Sequence, residues 1–446
     1  MRLAQDLRLR DYFALAFGTM IGVGWLVLMD DWLGRGGPLG AMLAFAVGGL
    51  ALLPVGYVYG QWVQRLPKAT SEAAYTAQVF PPIVSYFTGW TMLLAYFIVC
   101  PWEAVAIGKV ASYLLPWLNS FELYRVGGHP VFLPRLALGV VMTLFLAALN
   151  YRGIRGSARF QRYATGTVLV LVAGVALFGV AHGSGANFSP VFRSTPLVSI
   201  LLALQIVPYF LTGFESVPKA AEEASRDFPP RSFFRAIVLA LFTGAAFYVA
   251  AIAAVSLAAP WQSLLGKPFA TAFAFQQAIG AQWPVRLIFV GAIAGLLQCF
   301  NGNFVAASRM VFSFGREGTV PVRFGAVHTA YRTPGVAIVG VAALTLLGLC
   351  LGDALLVPVT EVGSMAAATG WFASSVSLML VEKRARVRII SAAAAVVALL
   401  LVLMKLLPAF PGHFSRAEWI AFAIWLLLGA TLHALRPPAA ASAAPR

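Results

Sequence analysis

The sequence predicts an all-α membrane protein of about twelve transmembrane helices. Three observations predict it. Of the 446 residues, 60% are hydrophobic and only 11% are charged, and mean hydropathy is +0.83; a soluble domain carries about 25% charged residues. No water-soluble fold of this length hides so much apolar surface. The apolar residues also fall into runs of roughly 20, the length that crosses a bilayer core of about 30 Å. Finally, the positive charge, +16 in net terms, gathers between runs on alternate sides.

The runs follow in order. The first, 12–32, starts just after Arg8 and Arg10, and the second, 38–62, opens on Pro38. Runs 83–115 and 283–314, third and eighth, exceed a minimal span, as tilted or protruding helices do. The fourth, fifth, sixth and seventh are 132–150, 160–181, 196–220 and 233–258. The last four are 334–351, 354–381, 387–407 and 417–435. The Pro/Ala-rich tail 436–446 is expected to be disordered. No small-residue cleavage site follows the first run, which reads as a retained helix rather than a signal peptide.

Charge sets the expected orientation. With the N-terminal segment 1–11 in the cytoplasm, most of the 32 Lys and Arg fall on the inner side. Arg65, Lys68, Arg152, Arg155, Arg159, Arg162, Lys219 and Arg226 are among them. Both termini are then cytoplasmic, as the positive-inside rule requires. The basic clusters therefore read as topology, not as nucleic-acid contacts. Cys100, Cys299 and Cys350 lie in apolar runs without CxxC spacing, so neither a disulfide framework nor a metal site is expected. No HExxH, P-loop or nucleophile elbow occurs, so no enzyme and no cofactor are expected.

Two runs carry helix breakers. Residues 18–25 hold Gly18, Gly22 and Gly24. Glycine costs about 1 kcal/mol per helical residue relative to alanine, so two glycines around one residue favour unwinding. Unwinding frees backbone N–H groups that a bound carboxylate can satisfy; close helix packing on small residues explains the same glycines. The sixth run holds Pro208, which frees a carbonyl one turn earlier, and Gly213 five residues on. Freed carbonyls suit an amine or a cation. Five spans separate the breaks, so the second enters with opposite orientation, the mark of an inverted-repeat transporter.

Four stretches carry a family resemblance: Ile21, Gly22, Val23 and Gly24; residues 212–216 running on to Glu222 and Glu223; residues 150–159; and residues 306–309 through 315–318 to Thr333 and Pro334. Their order and spacing resemble the amino acid–polyamine–organocation superfamily, of the bacterial amino-acid permease type, over nearly the whole chain. The first stretch is similar to the family's Ile-Gly-Ser-Gly motif. The resemblance implies a leucine-transporter-type five-plus-five inverted repeat, 12–181 and 196–381, followed by two further helices over 387–435. It implies residence in the bacterial inner (plasma) membrane and secondary-active transport of amino acids by alternating access. The substrate would bind at the unwound parts of helices one and six. The carboxylate would meet the backbone at Ile21, Val23 and Gly24, with Gly22 between. The amine would bind near Gln205, Val207 and Pro208, Tyr209 would occlude the site, and Glu215 would help form a gate.

The chain departs from the family at Val23, which removes a hydroxyl, and at Trp25, which is bulkier than the usual residue. A lysine that some proton-coupled relatives carry in the fifth span is absent from 165–174. Coupling to H⁺ or Na⁺, the individual solute, the mode and direction of transport and the oligomeric state stay open. Ionisable residues inside spans are functional candidates. Glu103 in the third span would carry a proton, contact a basic substrate or pair for structure. Lys109, six residues on, is off its helical face, and Glu361 sits near the outer end of the tenth span. Gln298, Asn301 and Asn303 line the pathway or bond neighbouring helices, and Ser308 sits near a sodium position of the fold. The rival solutes are polyamines, ethanolamine or another organic cation. A non-transporting sensor or assembly subunit is the rival of another class.

Overall fold

The computed structural model describes residues 3–267, 269–355, 359–408, 410 and 413–434. The expected tail, 436–446, and part of the tenth run lie outside the described residues. In chain order the helices are α1 (Leu9–Met20), α2 (Gly24–Val27), α3 (Met29–Arg65), α4 (Glu72–Thr76), α5 (Pro82–Phe97) and α6 (Val99–Leu114). A hairpin of β1 (Glu122–Val126) and β2 (His129–Phe132) follows, then α7 (Leu133–Tyr151), α8 (Ile154–His182), α9 (Pro196–Leu204), α10 (Val207–Leu211) and α11 (Ser216–Lys219). The chain continues as α12 (Arg231–Ala258), α13 (Ala270–Ile279), α14 (Trp283–Arg316), α15 (Gly335–Leu349), α16 (Val359–Val381), α17 (Ala385–Leu406) and α18 (Arg416–Ala434).

Among the described residues, nine helices are long and apolar enough to cross a membrane, with α5 and α6 counted as one. The protein is therefore an integral membrane protein built mainly of helices. The expected count of about twelve is larger because three runs fall short. The first and sixth are broken into pieces, and α15, with 15 residues, is too short by length alone.

Local chemistry explains many of the boundaries. Proline opens α5, α7, α9 and α14 at the first or second helical position, where a missing N–H is harmless. Gly37, at φ 65°, turns the chain between two helical stretches within α3, and Pro38 starts the second. The hairpin turns on Gly127 and Gly128, whose φ values of 57° and 83° fit a type I′ turn.

The sixth run is interrupted twice. The first gap, at 205–206 between α9 and α10, lies directly before Pro208, which sits in the first turn of α10 and has no N–H to give the Leu204 carbonyl one turn earlier. The sharper interruption lies at 212–215, where Gly213 has φ 134°.

Both broken runs pack centrally. The Trp32 ring meets Phe45 at 4.9 Å, Phe210 at 4.8 Å and Tyr248 at 5.5 Å between centroids. This cluster joins α3, α10 and α12. Trp25 points into the core against Phe247 and is 1% exposed, so its bulk fills packing space rather than a ligand site. At the end of α16, Arg384 and then Arg65 hold the Glu382 carboxyl well below the usual carboxylate range.

Candidate functional site

A cavity of about 40 Å³ lies where the two interrupted helices meet. Gly22, Val23 and Gly24 line it from the first break, and Tyr209, Phe210 and Thr212 from the second. Trp102 and Glu103 of α6, Cys299 and Asn303 of α14, and Gly363 of α16 complete most of the wall. The candidates Gly22, Val23, Gly24, Tyr209 and Glu103 are thus brought together. Ile21, Gln205, Val207, Pro208 and Glu215 do not line the cavity.

The first break exists because its groups find partners elsewhere. The α1 helix ends with the Ile21 N–H donating to Phe17 O at 2.9 Å. The carbonyls beyond are capped by side chains from other spans. Tyr248 donates to Met20 O at 3.0 Å, and the Gln298 amide to Ile21 O at 2.8 Å. The Cys299 thiol donates to Thr19 O at 3.3 Å. Gln298 is held in turn by Thr165, 3.0 Å from its Oε1. Asn301 receives Asn150 at 2.9 Å and donates to Gln161 at 2.7 Å. Gln298, Asn301 and Ser308 thus bond within the protein, while Asn303 also reaches the cavity. On the donor side, the N–H groups of Gly22, Val23 and Gly24 find no acceptor among the described residues.

Gln298→Leu leaves the Ile21 carbonyl buried without a donor. A loss of about 1–3 kcal/mol is expected, seen as a lower melting temperature of the purified protein. An unchanged melting temperature would show that the cap is dispensable.

The second break is organised differently. Pro208 O accepts the Thr212 N–H at 2.9 Å and its hydroxyl at 2.7 Å, and Ile206 O accepts the Tyr209 N–H at 3.2 Å. Gln205 is buried away from the cavity, and its Oε1 has no partner. The Glu215 carboxylate folds back to accept the Gly213 N–H at 3.0 Å and the Trp371 indole N–H at 3.2 Å.

Two flanking regions differ in access. Toward the face that carries the hairpin, a vestibule of about 640 Å³ shares Val23, Leu28, Trp102, Tyr209 and Phe210 with the cavity. Its wall carries charge: Glu361 pairs with Lys405, and Asp31 with Arg35. Lys109 reaches Asp353 at 3.7 Å and leaves Glu103 alone. Toward the opposite face, which carries Arg65 and Lys68, lie two buried ion pairs. Lys219, fully buried, bonds Ser71 and both oxygens of Glu72, and Tyr59 donates to Glu72 at 2.7 Å. Arg309 grips Glu223 with two bonds of 2.9 and 3.0 Å.

Sequence reasoning left Phe210, Thr212, Trp102 and Cys299 without a cavity role. The first two stand inside the broken stretch, and Trp102 adjoins Glu103, so proximity was an available signal. Cys299 had none, because only packing of α14 against α1 brings it to the cavity. The Glu72–Lys219 pair also had none, since the residues are 147 apart in the chain.

The profile of one protein family, described as amino acid permease, matches residues 7–432. A methylthioribose transporter of Bacillus subtilis (strain 168) is 25% identical over 97% of this chain and 93% of its own length. The branched-chain amino acid permease BcaP of the same organism is 26% identical over 75% of this chain and 72% of its own. The low-affinity putrescine importer PlaP of Escherichia coli (strain K12) is 25% identical over 73% and 70%.

Proposed function

The chain belongs to the amino acid permease family, and on that premise we propose that it moves an amino acid across the bacterial inner membrane by alternating access. It is a transporter of amino acids or related solutes and not an enzyme. The observation that carries the proposal is the meeting of two interrupted helices at one cavity, with unpaired backbone N–H groups on its wall.

In this reading, residues 12–181 and 196–381 form the two halves of a leucine-transporter-type inverted repeat within about twelve spans, and 387–435 adds two helices. The basic face is cytoplasmic by the positive-inside rule, and so are segment 1–11 and the C-terminal tail. The conformation described is then open to the outside and closed within. The solute binds at Gly22, Val23 and Gly24 beneath Tyr209, while Ile21, Gln205, Val207 and Pro208 shape the backbone around it. Glu215 and the Lys219–Glu72 pair close the inner path, and Glu103 and Glu215 are the groups available to couple a cation.

Uptake and counterflow of the twenty labelled amino acids in proteoliposomes, with and without a sodium gradient, test the reading. Saturable exchange of at least one is expected; none would sink it. Because a putrescine importer is among the relatives, an amine is the second solute class. Putrescine and methylthioribose, competed against the best amino acid, separate the classes: whichever blocks counterflow at the lowest concentration names the solute.

A further inference from the structure

Away from the central cavity, a groove of about 740 Å³ runs along the outer side of α8. Its floor extends from Arg162 to Phe178, about 24 Å of helix at the usual rise per residue. Trp283 and Leu287 of α14 wall its far end. Val170 and Leu177 on this side of α8 are 74% and 72% exposed. In a helix long and apolar enough to span a membrane, such a side faces lipid rather than water.

The groove is a gap in the surface with apolar walls. A methyl group built on Gly166 or Gly174 meets nothing within 4 Å. The Thr167 hydroxyl turns back to donate to the Tyr163 carbonyl at 3.0 Å, so it does not make the wall polar.

One end, by contrast, is basic. Arg162 lines it, and Arg159 stands one helical turn before Tyr163 on the same side. Arg162 pairs with Asp11, and Arg155 with Asp6. Arg152 and Arg159 are exposed and form no ion pair among the described residues. Two of the four arginines at the start of α8 are therefore uncompensated.

Charge complementarity identifies the occupant. An acyl chain gains little by moving from lipid to an apolar groove, because both surroundings are alike. The discriminating contact is at the mouth, where guanidinium groups bind phosphate through paired N–H donors. From Arg162 to Leu171 the floor runs about 14 Å, close to the half-thickness of a bilayer core, about 15 Å. A chain from the adjoining leaflet fits that stretch with its phosphate at the arginines.

We propose that this groove binds an anionic phospholipid, with its phosphate held by Arg159 and Arg162 and one acyl chain laid over Gly166 toward Gly174. The site is separate from the central cavity and does not depend on which solute is carried.

Photolabelling of the full-length protein in phosphatidylcholine nanodiscs tests this. Trace phosphatidylglycerol or phosphatidylcholine, each with a photoactivatable group midway along one chain, is added, and labelled peptides are mapped. Phosphatidylglycerol should label the stretch from Gly166 to Gly174 about fivefold more than phosphatidylcholine, the worth of one arginine at a membrane surface. Arg159→Gln should remove that excess, and Arg159→Lys should keep most of it. Gly166→Leu keeps every arginine but fills the groove; it should also lose the excess while melting no lower than the wild type. If it does not fold, Gly174→Leu takes its place, since that position is equally open.

Equal labelling by the two lipids in the wild type would mean an unspecific lipid coat and overturn the proposal. An excess that survives Gly166→Leu would show attraction to the arginines alone, with no role for the groove, and overturn it too. So would loss of the excess on adding soluble glycerol phosphate, which would show that the headgroup binds without its chain. Crosslinks joining two copies through α8 would assign the groove to a second copy of the chain and likewise sink the proposal.

Discussion

Lys219→Met is expected to unlatch the inner face and lose about 3–5 kcal/mol of stability, because it leaves Glu72 charged and buried without its partner. Both side chains of the pair have no solvent exposure. The ammonium also faces the Tyr59 and Tyr96 rings at 5.9 and 5.5 Å. Melting of the purified variant checks the stability loss. The double variant Glu72→Gln/Lys219→Met removes both charges, and much of the lost stability should return, since a neutral buried pair carries no desolvation penalty.

Transport separates latch from scaffold. If the pair closes the inner path, the double variant should fold yet lose concentrative uptake, because the inner face no longer holds shut while the outer one is open. Labelling a cysteine placed at Thr212, on the cavity wall, from the basic face should become faster in the double variant. Wild-type labelling and wild-type uptake in the double variant would show that the pair is structural only.

The second large effect is expected at Gly213. Its φ of 134° is one that L side chains rarely adopt, and an added Cβ would lie 2.8 Å from Met20 N and 2.9 Å from the Thr19 carbonyl carbon. Met20 Cγ also lies at 2.9 Å, but the other two are backbone atoms and cannot swing aside as a side chain would. Gly213→Ala therefore combines backbone strain of about 1–3 kcal/mol with a forced separation of the two breaks. Counterflow should fall by more than about tenfold, the equivalent of 1.4 kcal/mol.

The control is Gly128→Ala in the hairpin turn. There φ is also positive, at 83°, but an added Cβ has nothing within 4 Å. That variant should pay only the strain and leave counterflow intact. Equal activity of the two variants would show that the close approach of the breaks is unimportant.

Much of the architecture was legible because membrane insertion leaves a local signal. An apolar run of the right length, bounded by charge, is read from neighbouring residues alone. Glycines at 18, 22 and 24 likewise announced a weak helix before any contact was known. Pro208 likewise marked the gap at 205–206, since proline has no N–H for the carbonyl one turn earlier. The sharper interruption falls at Gly213, where the chain must pass close to Met20 and Thr19. That requirement comes from another segment.

By itself, then, the sequence determined a helical membrane protein with two weakened helices, since hydropathy and backbone propensity are properties of short stretches. Only the tertiary structure decided which weakened groups are free. Gln298, Tyr248 and Cys299 cap the carbonyls of the first break. The N–H groups at Gly22–Gly24 find no acceptor among the described residues, and these residues and Glu103 line the cavity. The physical reason is that a hydrogen bond in the bilayer interior has to be met within the protein. Whether a polar group is available to a solute thus depends on side chains far away in the chain.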